Sequence, residues 1–166
     1  MRFQTHMRRF LFLATIFVSV ASSASDITRT TVIEQMNARR LAALLPPLRH
    51  DERLDLAAED RMRDMEDQAY WAHTSPDGRS PFEWLSPRGY DYWFAAENLA
   101  AGFETAEVLV DGWMESDGHR DNILGPMFQE CGIAIIDGGT VGKTTGKSVV
   151  VLFGRVKLEP QQARKD

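Results

Sequence analysis

The chain has 166 residues, of which 43% are hydrophobic and 26% charged, and its formal net charge at neutral pH is −5. This length fits one domain that can bury a sizeable core without disulfide or metal staples. The acidic balance argues against nucleic acid or an anionic membrane surface as a partner, because binding to either requires Lys and Arg to neutralise phosphates.

The first 24 residues have the pattern of a secretory signal peptide. Three arginines precede the apolar run Phe10–Ala21, and Ser22–Ala24 supplies small residues for cleavage, with Ala21 as a second candidate. The run is shorter than the roughly 20 residues that span a bilayer, and an uncleaved anchor is the alternative. Cleavage removes three Arg and no acid, which changes the net charge from −5 to −8. We therefore predict a secreted or periplasmic monomer with no membrane span.

The single cysteine, Cys131, leaves this chain without an internal disulfide. It begins the apolar segment Cys131–Ile136, a setting that is typical of a buried and inert thiol. A nucleophilic cysteine paired with a histidine is the alternative.

The first predicted helix runs from Asp26 to Leu45, with Asp26 as a possible N-cap and two prolines after its end. One stripe at helical spacing holds Ile33, Met36, Asn37, Arg40 and Leu44. Because Asn37 and Arg40 interrupt an otherwise apolar stripe, they need polar partners, and we interpret them as hydrogen-bonding struts between the helix and loops. Direct contact with a ligand is the alternative.

The second predicted helix runs from Glu52 to Gln68, with Asp51 as its N-cap. Its apolar face holds Leu54, Ala57, Ala58, Met62, Met65 and Ala69. The acidic and arginine residues of this helix are predicted to form a solvated surface on the opposite face.

The middle of the chain combines a helix signal with a cluster of aromatic residues. Ser80–Glu83 has the sequence of a capping box with proline at the first helical position, which predicts a short helix ending near Gly89. The aromatic residues that follow are Tyr90, Tyr92, Trp93 and Phe94. They either line a ligand groove or belong to an ordinary core.

The last third of the chain changes from helical to strand patterns. A helix is predicted over Thr105–Met114, because apolar residues recur there at helical spacing. Two strands rich in Val and Ile, Gly132–Ile136 and Ser148–Val156, follow with glycine-rich turn residues between them. Helices first and an antiparallel hairpin last indicate an α+β domain.

Two histidines and a glutamate mark the candidate functional site. His73 precedes the turn sequence Thr-Ser-Pro-Asp-Gly, His119 follows a glycine, and Glu97 lies between apolar residues in a predicted strand. A buried acid needs a ligand or a salt bridge, for which Arg40 and Arg88 are candidates. Imidazoles combined with carboxylates suit a divalent cation or proton-transfer chemistry, so we place the site at these three residues.

Several short motifs follow one another in a specific order. They are Asn37-Ala-Arg-Arg40 with Leu48 after it, His73 before Asp77-Gly78, Glu97-Asn98-Leu99, Trp113-Met-Glu-Ser116 with Gly118-His-Arg-Asp-Asn-Ile-Leu124, and Cys131-Gly132-Ile-Ala before a final strand. In this order they resemble the CAP superfamily, also called SCP-like or cysteine-rich secretory, antigen 5 and pathogenesis-related-1 domains. The resemblance runs from about Ile33 to Val156 and is closest to the bacterial branch without disulfides.

The resemblance implies a three-layer α-β-α sandwich with a central antiparallel sheet, which refines the α+β class. With the signal peptide before it and the polar residues after it, the domain is predicted to span residues 25–158, and residues 159–166 are a polar tail. The resemblance also implies a central cavity that holds two histidines and two acids, and His73, Glu97 and His119 match three of these four positions.

The fourth position of this set departs from the pattern. Many relatives have the second acid three residues after the Trp, where this chain has Ser116, and the acid Glu115 comes one residue earlier. Glu115 would face away from the side of Trp113 in a continuous helix. It joins the metal site with His73, His119 and Glu97 only if the helix unwinds at Ser116-Asp-Gly118, which the glycine permits.

Two functions are compatible with this site. The first is a non-enzymatic binding module that holds a divalent metal such as Zn²⁺ and takes a small molecule, a lipid or an envelope protein as its partner. The second is a metal-dependent, peptidase-like hydrolase in which His73 and His119 hold Zn²⁺ and Glu97 is the general base. A variant of the second pairs Ser75 or Ser116 with a histidine. We favour the binding module.

Overall fold

The computed structural model describes residues 26–137 and 146–157. The predicted signal peptide over residues 1–24, most of the turn between the last two strands and the predicted tail over residues 159–166 lie outside this part of the chain. The elements follow in the order α1 (Arg29–Ala42), β1 (Arg49–His50), α2 (Glu52–Asp67), β2 (Tyr92–Phe103), α3 (Ala106–Glu115), α4 (Asp117–Leu124), β3 (Glu130–Ile136) and β4 (Lys147–Val156). In the described part of the chain, no helix is both long enough and apolar enough to cross a bilayer.

The strands form one sheet in the order β1-β3-β4-β2. The β2–β4 and β3–β4 pairs are antiparallel, and the two-residue β1 adds a parallel pair at the edge of β3. Helix α2 covers one face of the sheet, whereas α1, α3 and α4 cover the other, and each face has its own apolar core. This arrangement confirms the predicted α+β class and its three α-β-α layers.

Helix α1 is shorter at both ends than its sequence predicts. Its N-cap is Thr28 rather than Asp26, because the Thr28 hydroxyl accepts the backbone N–H of Thr31 at 3.1 Å. It ends at Ala42, and Leu44 lies beyond it with φ +59° and 91% exposure. The assignment of Leu44 to the buried stripe is therefore wrong.

The two polar residues on the buried side of α1 are struts, as predicted. Asn37 exchanges two hydrogen bonds with the backbone of Leu48, at 2.7 and 3.0 Å. Arg40 is 1% exposed, and all of its hydrogen bonds to described residues go to backbone carbonyls. These carbonyls belong to Pro46, Ile123, Gly125 and Phe128. Arg40 thereby joins the end of α1 to the end of α4.

Helix α2 begins after its predicted N-cap Asp51 and lies unusually close to the sheet. A Cβ atom added to Gly132 of β3 would stand 2.3 Å from the backbone nitrogen of Asp55, so only glycine permits this approach. The buried Asp55 carboxylate accepts the backbone N–H of Ile133 at 2.6 Å. Asp55 and Arg61 are both buried, so the prediction of a solvated polar face is wrong for these two residues of α2.

The predicted helix after Ser80 is replaced by turns and a 3₁₀ turn over Ser86–Arg88. The capping-box contact is present, since the Glu83 carboxylate accepts the backbone N–H of Ser80 at 2.9 Å. Pro87 prevents continuation, because it has no N–H and disfavours the helical region for Ser86.

Candidate functional site

Glu97 and His73 form a hydrogen-bonded pair. Glu97 lies in the middle of β2 with its side chain 1% exposed, and its Oε1 is 2.8 Å from Nδ1 of His73. Because a carboxylate only accepts, His73 donates through Nδ1–H and directs Nε2 away from Glu97. The His73 side chain is 58% exposed, so the pair joins a buried acid to a solvent-accessible imidazole. This hydrogen bond raises the pKa of His73 above its ordinary value.

The partner of Glu97 on its other side is Arg61 of α2. Arg61 has no exposed side-chain surface, and its Nε donates to Oε2 of Glu97 at 3.0 Å. Its guanidinium lies over the rings of Tyr70 and Trp84, at 5.3 and 5.0 Å from their centroids. Its Nη2 donates to the backbone carbonyl of His73 at 2.9 Å. A single buried cation therefore holds the carboxylate and the loop that carries the imidazole.

Sequence reasoning missed Arg61 and chose the wrong partner for Glu97. The two candidates were Arg40, which bonds carbonyls, and Arg88, which pairs with Asp60. Arg61 stands seven residues after Leu54 and four before Met65, so it falls on the apolar stripe of α2. The same signal identified Arg40 on α1 and would have identified Arg61.

His119 lies in the first turn of α4, and its position depends on three contacts to β2. Asn98 Nδ2 donates to the His119 carbonyl at 3.1 Å, and Asn122 Nδ2 donates to Oδ1 of Asn98 at 2.9 Å. Trp113 of α3 donates through Nε1 to the Leu99 carbonyl at 3.0 Å. These bonds explain why the Glu97-Asn98-Leu99 motif occurs together with the Trp113 and His119 motifs.

His119 is partly buried, and the pKa of its imidazole is lowered. Burial lowers the pKa of His119 below its ordinary value, and the charge of His73 lowers it further. The His119 ring is also tilted against Trp113, with 6.4 Å between ring centroids. Within residues 26–137 and 146–157, no hydrogen bond occupies either nitrogen of the His119 ring. His73 thus contacts Glu97 directly, whereas His119 is joined to β2 through the side chains of Asn98 and Asn122. The assignment of all three residues to one metal site stays a prediction.

The remaining predicted site residues lie outside this cluster of contacts. Helix α3 ends at Glu115, and Ser116 breaks the chain direction with φ −101° and ψ 121° before α4 begins. The break occurs where the sequence placed it, yet the Glu115 side chain is exposed. Ser75 Oγ bonds to Asp77 and to the backbone of Arg79 rather than to a histidine.

The donor set for a metal ion is small. No group of three or more His, Cys, Asp or Glu side chains in the described ranges is arranged to hold a metal ion. Both oxygens of Glu97 already have hydrogen-bond partners, whereas Nε2 of His73 and the ring nitrogens of His119 are available as metal ligands. The chemistry of the two imidazoles suits a transition-metal ion, and the hydrogen bond from Glu97 would orient the His73 ring from the side opposite Nε2.

The aromatic cluster is divided between core and surface. Tyr90 is fully buried and Tyr92 is partly buried, whereas Trp93 and Phe94 are 62% and 46% exposed. An ordinary core therefore describes Tyr90 but not Trp93 and Phe94, and the groove alternative stays a prediction.

Comparison with known proteins agrees with the fold and the motifs. The family model described as "CAP: Cysteine-rich secretory protein family" matches residues 33–153. Over 121 residues the chain is 39% identical to the Bacillus subtilis protein YkwD, a match that covers 73% of this chain and 47% of YkwD. The chain thus spans about half the length of this relative.

Solved structures support the same assignment. The structure of an extracellular protein containing a SCP domain from Bacillus anthracis matches with a TM-score of 0.63 and 26% identity, over 76% of this chain and 40% of that one. An outer surface protein from Borrelia burgdorferi matches with a TM-score of 0.67 and 20% identity, over 81% of this chain and 100% of that one, and supports the fold alone. The chain therefore belongs to the CAP family of cysteine-rich secretory proteins.

Proposed function

We propose that this CAP protein is a secreted or periplasmic, non-enzymatic binding module that binds a divalent transition metal reversibly through His73 and His119. The observation that supports this proposal is the pair of hydrogen bonds that the Glu97 carboxylate accepts. One of its oxygens accepts from buried Arg61 and the other from His73. A carboxylate held in this way orients the imidazole, as in the carboxylate–histidine–metal arrangements of known sites.

The choice of metal follows from the donors. Two imidazoles suit Zn²⁺, Cu²⁺ or Ni²⁺ better than Ca²⁺ or Mg²⁺, which prefer oxygen ligands. When bound, the ion would offer its remaining coordination positions to water or to an electron-rich group of a partner. A small molecule, a lipid or an envelope protein could supply that group. Two protein donors are fewer than the four of a structural zinc site, so we expect exchangeable binding.

The hydrolase alternative requires a Glu97 carboxylate that is free to accept a proton from a metal-bound water. A metal-bound water as nucleophile needs a nearby base, and catalytic zinc sites in proteins have three protein ligands. Here the carboxylate is 1% exposed and already bonded on both oxygens, which favours an orienting role over proton abstraction. The extracellular protein from Bacillus anthracis supports the proposed location, and secretion is part of the proposal.

Calorimetric titration of the purified protein with Zn²⁺ tests the proposal. We expect binding of one ion, strong loss in H73A and in H119A, and no hydrolysis of peptide or cell-wall substrates by the metal-loaded protein. The third histidine outside the signal segment provides the matched control, since His50 pairs with Asp55 rather than with Glu97. H50Q should therefore bind like the wild type. Equal Zn²⁺ binding by H73A and the wild type would refute the metal site, and turnover lost in H119A would favour the hydrolase.

A further inference from the structure

Most Lys and Arg side chains in the described ranges pair with a carboxylate, but two neighbouring ones do not. Ten of the thirteen Lys and Arg residues in the described ranges form an ion pair with a carboxylate. Arg40 is buried against backbone carbonyls. The two that remain, Arg155 and Lys157, have no carboxylate partner among the described residues, and they lie two positions apart at the end of β4. In the described ranges, two cations without a carboxylate partner therefore lie close together, one near the end of β4 and one directly after it.

Two exposed aromatic rings lie beside these cations. The β2–β4 register pairs Tyr92 with Val156 and Phe94 with Arg155, so Trp93 is the extra residue of a β-bulge. Lys157 Nζ lies over the Trp93 ring, 5.0 Å from its centroid. Trp93 is 62% and Phe94 46% exposed, unlike most large apolar residues in the described ranges. We call Trp93, Phe94, Arg155 and Lys157 the aromatic-basic patch.

Among the described residues, the acid nearest in sequence to the two rings is Asp91, and its carboxylate makes no described contact with the patch. The Asp91 carboxylate accepts a hydrogen bond from Ser86 Oγ at 3.1 Å, which turns it toward the 3₁₀ turn. The backbone carbonyl of Asp91 accepts the backbone N–H of Lys157 at 2.8 Å, and this bond fixes the end of β4 beside the bulge. The cations therefore stand at a defined position next to the rings.

We infer that the aromatic-basic patch is a second binding site, separate from the His73–Glu97–His119 site, and that it takes an acidic glycan of low charge density. The apolar C–H faces of sugar rings pack on exposed aromatic rings, here Trp93 and Phe94. Carboxylates carried by the glycan pair with Arg155 and Lys157. Exposed apolar side chains that form one patch commonly mark a binding surface.

The charge balance selects this class of partner. A net charge of −5 repels densely charged polyanions, and two cations are too few to offset that repulsion for nucleic acid. Stable attachment to an anionic bilayer requires a larger basic cluster or a second anchor. A neutral partner would leave the two cations without a role. A glycan with about one carboxylate per two sugars matches two cations beside two rings.

A matched pair of oligosaccharides tests the inference. Hyaluronan hexasaccharide alternates glucuronate with N-acetylglucosamine, whereas chitohexaose has the acetamido sugar alone and no carboxylate. We expect hyaluronan hexasaccharide to bind the full chain in calorimetry and to bind more weakly as salt increases. W93A should weaken binding of both sugars by about tenfold, because stacking on the ring is lost. R155Q/K157Q should reduce hyaluronan binding to the level of chitohexaose and leave chitohexaose unchanged.

Control variants distinguish the loss of sugar binding at the patch from a loss of binding caused by unfolding. R63Q removes an exposed arginine that pairs with Asp60, and L44A removes a 91% exposed apolar side chain, so neither should affect binding. W93Y is the second variant at this position, for use if W93A does not fold. It keeps an aromatic ring and should retain most of the affinity for both sugars. The inference would be overturned if the wild type bound both sugars equally, or if R155Q/K157Q bound hyaluronan hexasaccharide as tightly as the wild type does. Binding to phosphatidylglycerol vesicles in preference to hyaluronan would also overturn it.

Discussion

Arg40 and Arg61 are two buried arginines with opposite kinds of partner. Each lies on the apolar side of a helix, with 1% and 0% of its surface exposed. Within the described part of the chain, Arg40 donates to backbone carbonyls of loops and helix ends on one side of the sheet and to no acid. Arg61, on the other side, donates to the Glu97 carboxylate and to the carbonyl of His73. The first connects structural elements, whereas the second organises a pair of titratable side chains.

The difference shows how a buried cation can be interpreted from its partners. Uncharged carbonyls compensate Arg40 without any group that changes protonation near neutral pH. Arg61 instead faces an acid that is bonded to a half-exposed imidazole, so its removal should change the chemistry of His73 as well as stability. We therefore expect the two arginines to resemble each other in their effect on folding and to differ in their effect on the site.

The largest expected effect is from removing either arginine. R61M leaves the Glu97 charge buried without its cation and should lower the free energy of unfolding by about 3–5 kcal/mol. R40M should cost about 1–3 kcal/mol for each carbonyl that stays unsatisfied. Urea denaturation measures both losses. Only R61M should also alter the pKa of His73 and weaken Zn²⁺ binding, and an equal change of the site in R40M would remove the distinction.

Replacing both members of the buried ion pair sharpens the comparison. A buried pair exchanged for apolar side chains of similar size is often neutral for stability, so R61M/E97L should recover most of what R61M loses. His73 would still lack its orienting carboxylate. Zn²⁺ affinity should therefore stay about 10–100-fold below the wild type. Recovery of metal affinity along with stability would mean that the pair serves folding alone.

The pH dependence of stability gives a smaller effect with a defined sign. Glu97 raises the pKa of His73 above 6.5, so this contribution to stability is complete below pH 6.5 and is lost as pH rises through the raised value. The pKa of His119 is lowered, so its contribution is present above pH 6.5 and is lost as pH falls through the lowered value. E97Q should abolish the first trend and keep the second, as monitored by thermal unfolding between about pH 5 and pH 8.

The smallest expected effect is at Glu115. Its side chain is exposed at the end of α3, and no hydrogen bond or ion pair of the described residues joins it to His73, Glu97 or His119. E115Q should therefore leave Zn²⁺ affinity within about twofold of the wild type, a difference below about 0.5 kcal/mol. A tenfold loss in calorimetry would make Glu115 a ligand and bring the site closer to the four-residue pattern of the family.

The sequence carried more information about elements than about partners. Helical and strand periodicity located α2, α3, β3 and β4, and the motif order identified the three-layer fold. Periodicity does not reveal which arginine reaches which acid, because the Arg61–Glu97 pair joins residues 36 positions apart through the packing of a helix on a sheet. The exposure of Trp93 depends on a bulge in the β2–β4 register, which the aromatic pattern did not indicate.

The most direct test of the central claim is a ¹⁵N NMR titration of the His73 imidazole with and without Zn²⁺. Our account predicts that Nδ1 keeps its proton against Glu97 and that Nε2 shifts as the metal ligand. It also predicts that R61M loses this tautomer preference, whereas R40M retains it. Metal coordination through Nδ1, or an unchanged tautomer in R61M, would contradict the claim that Arg61 positions His73 through Glu97.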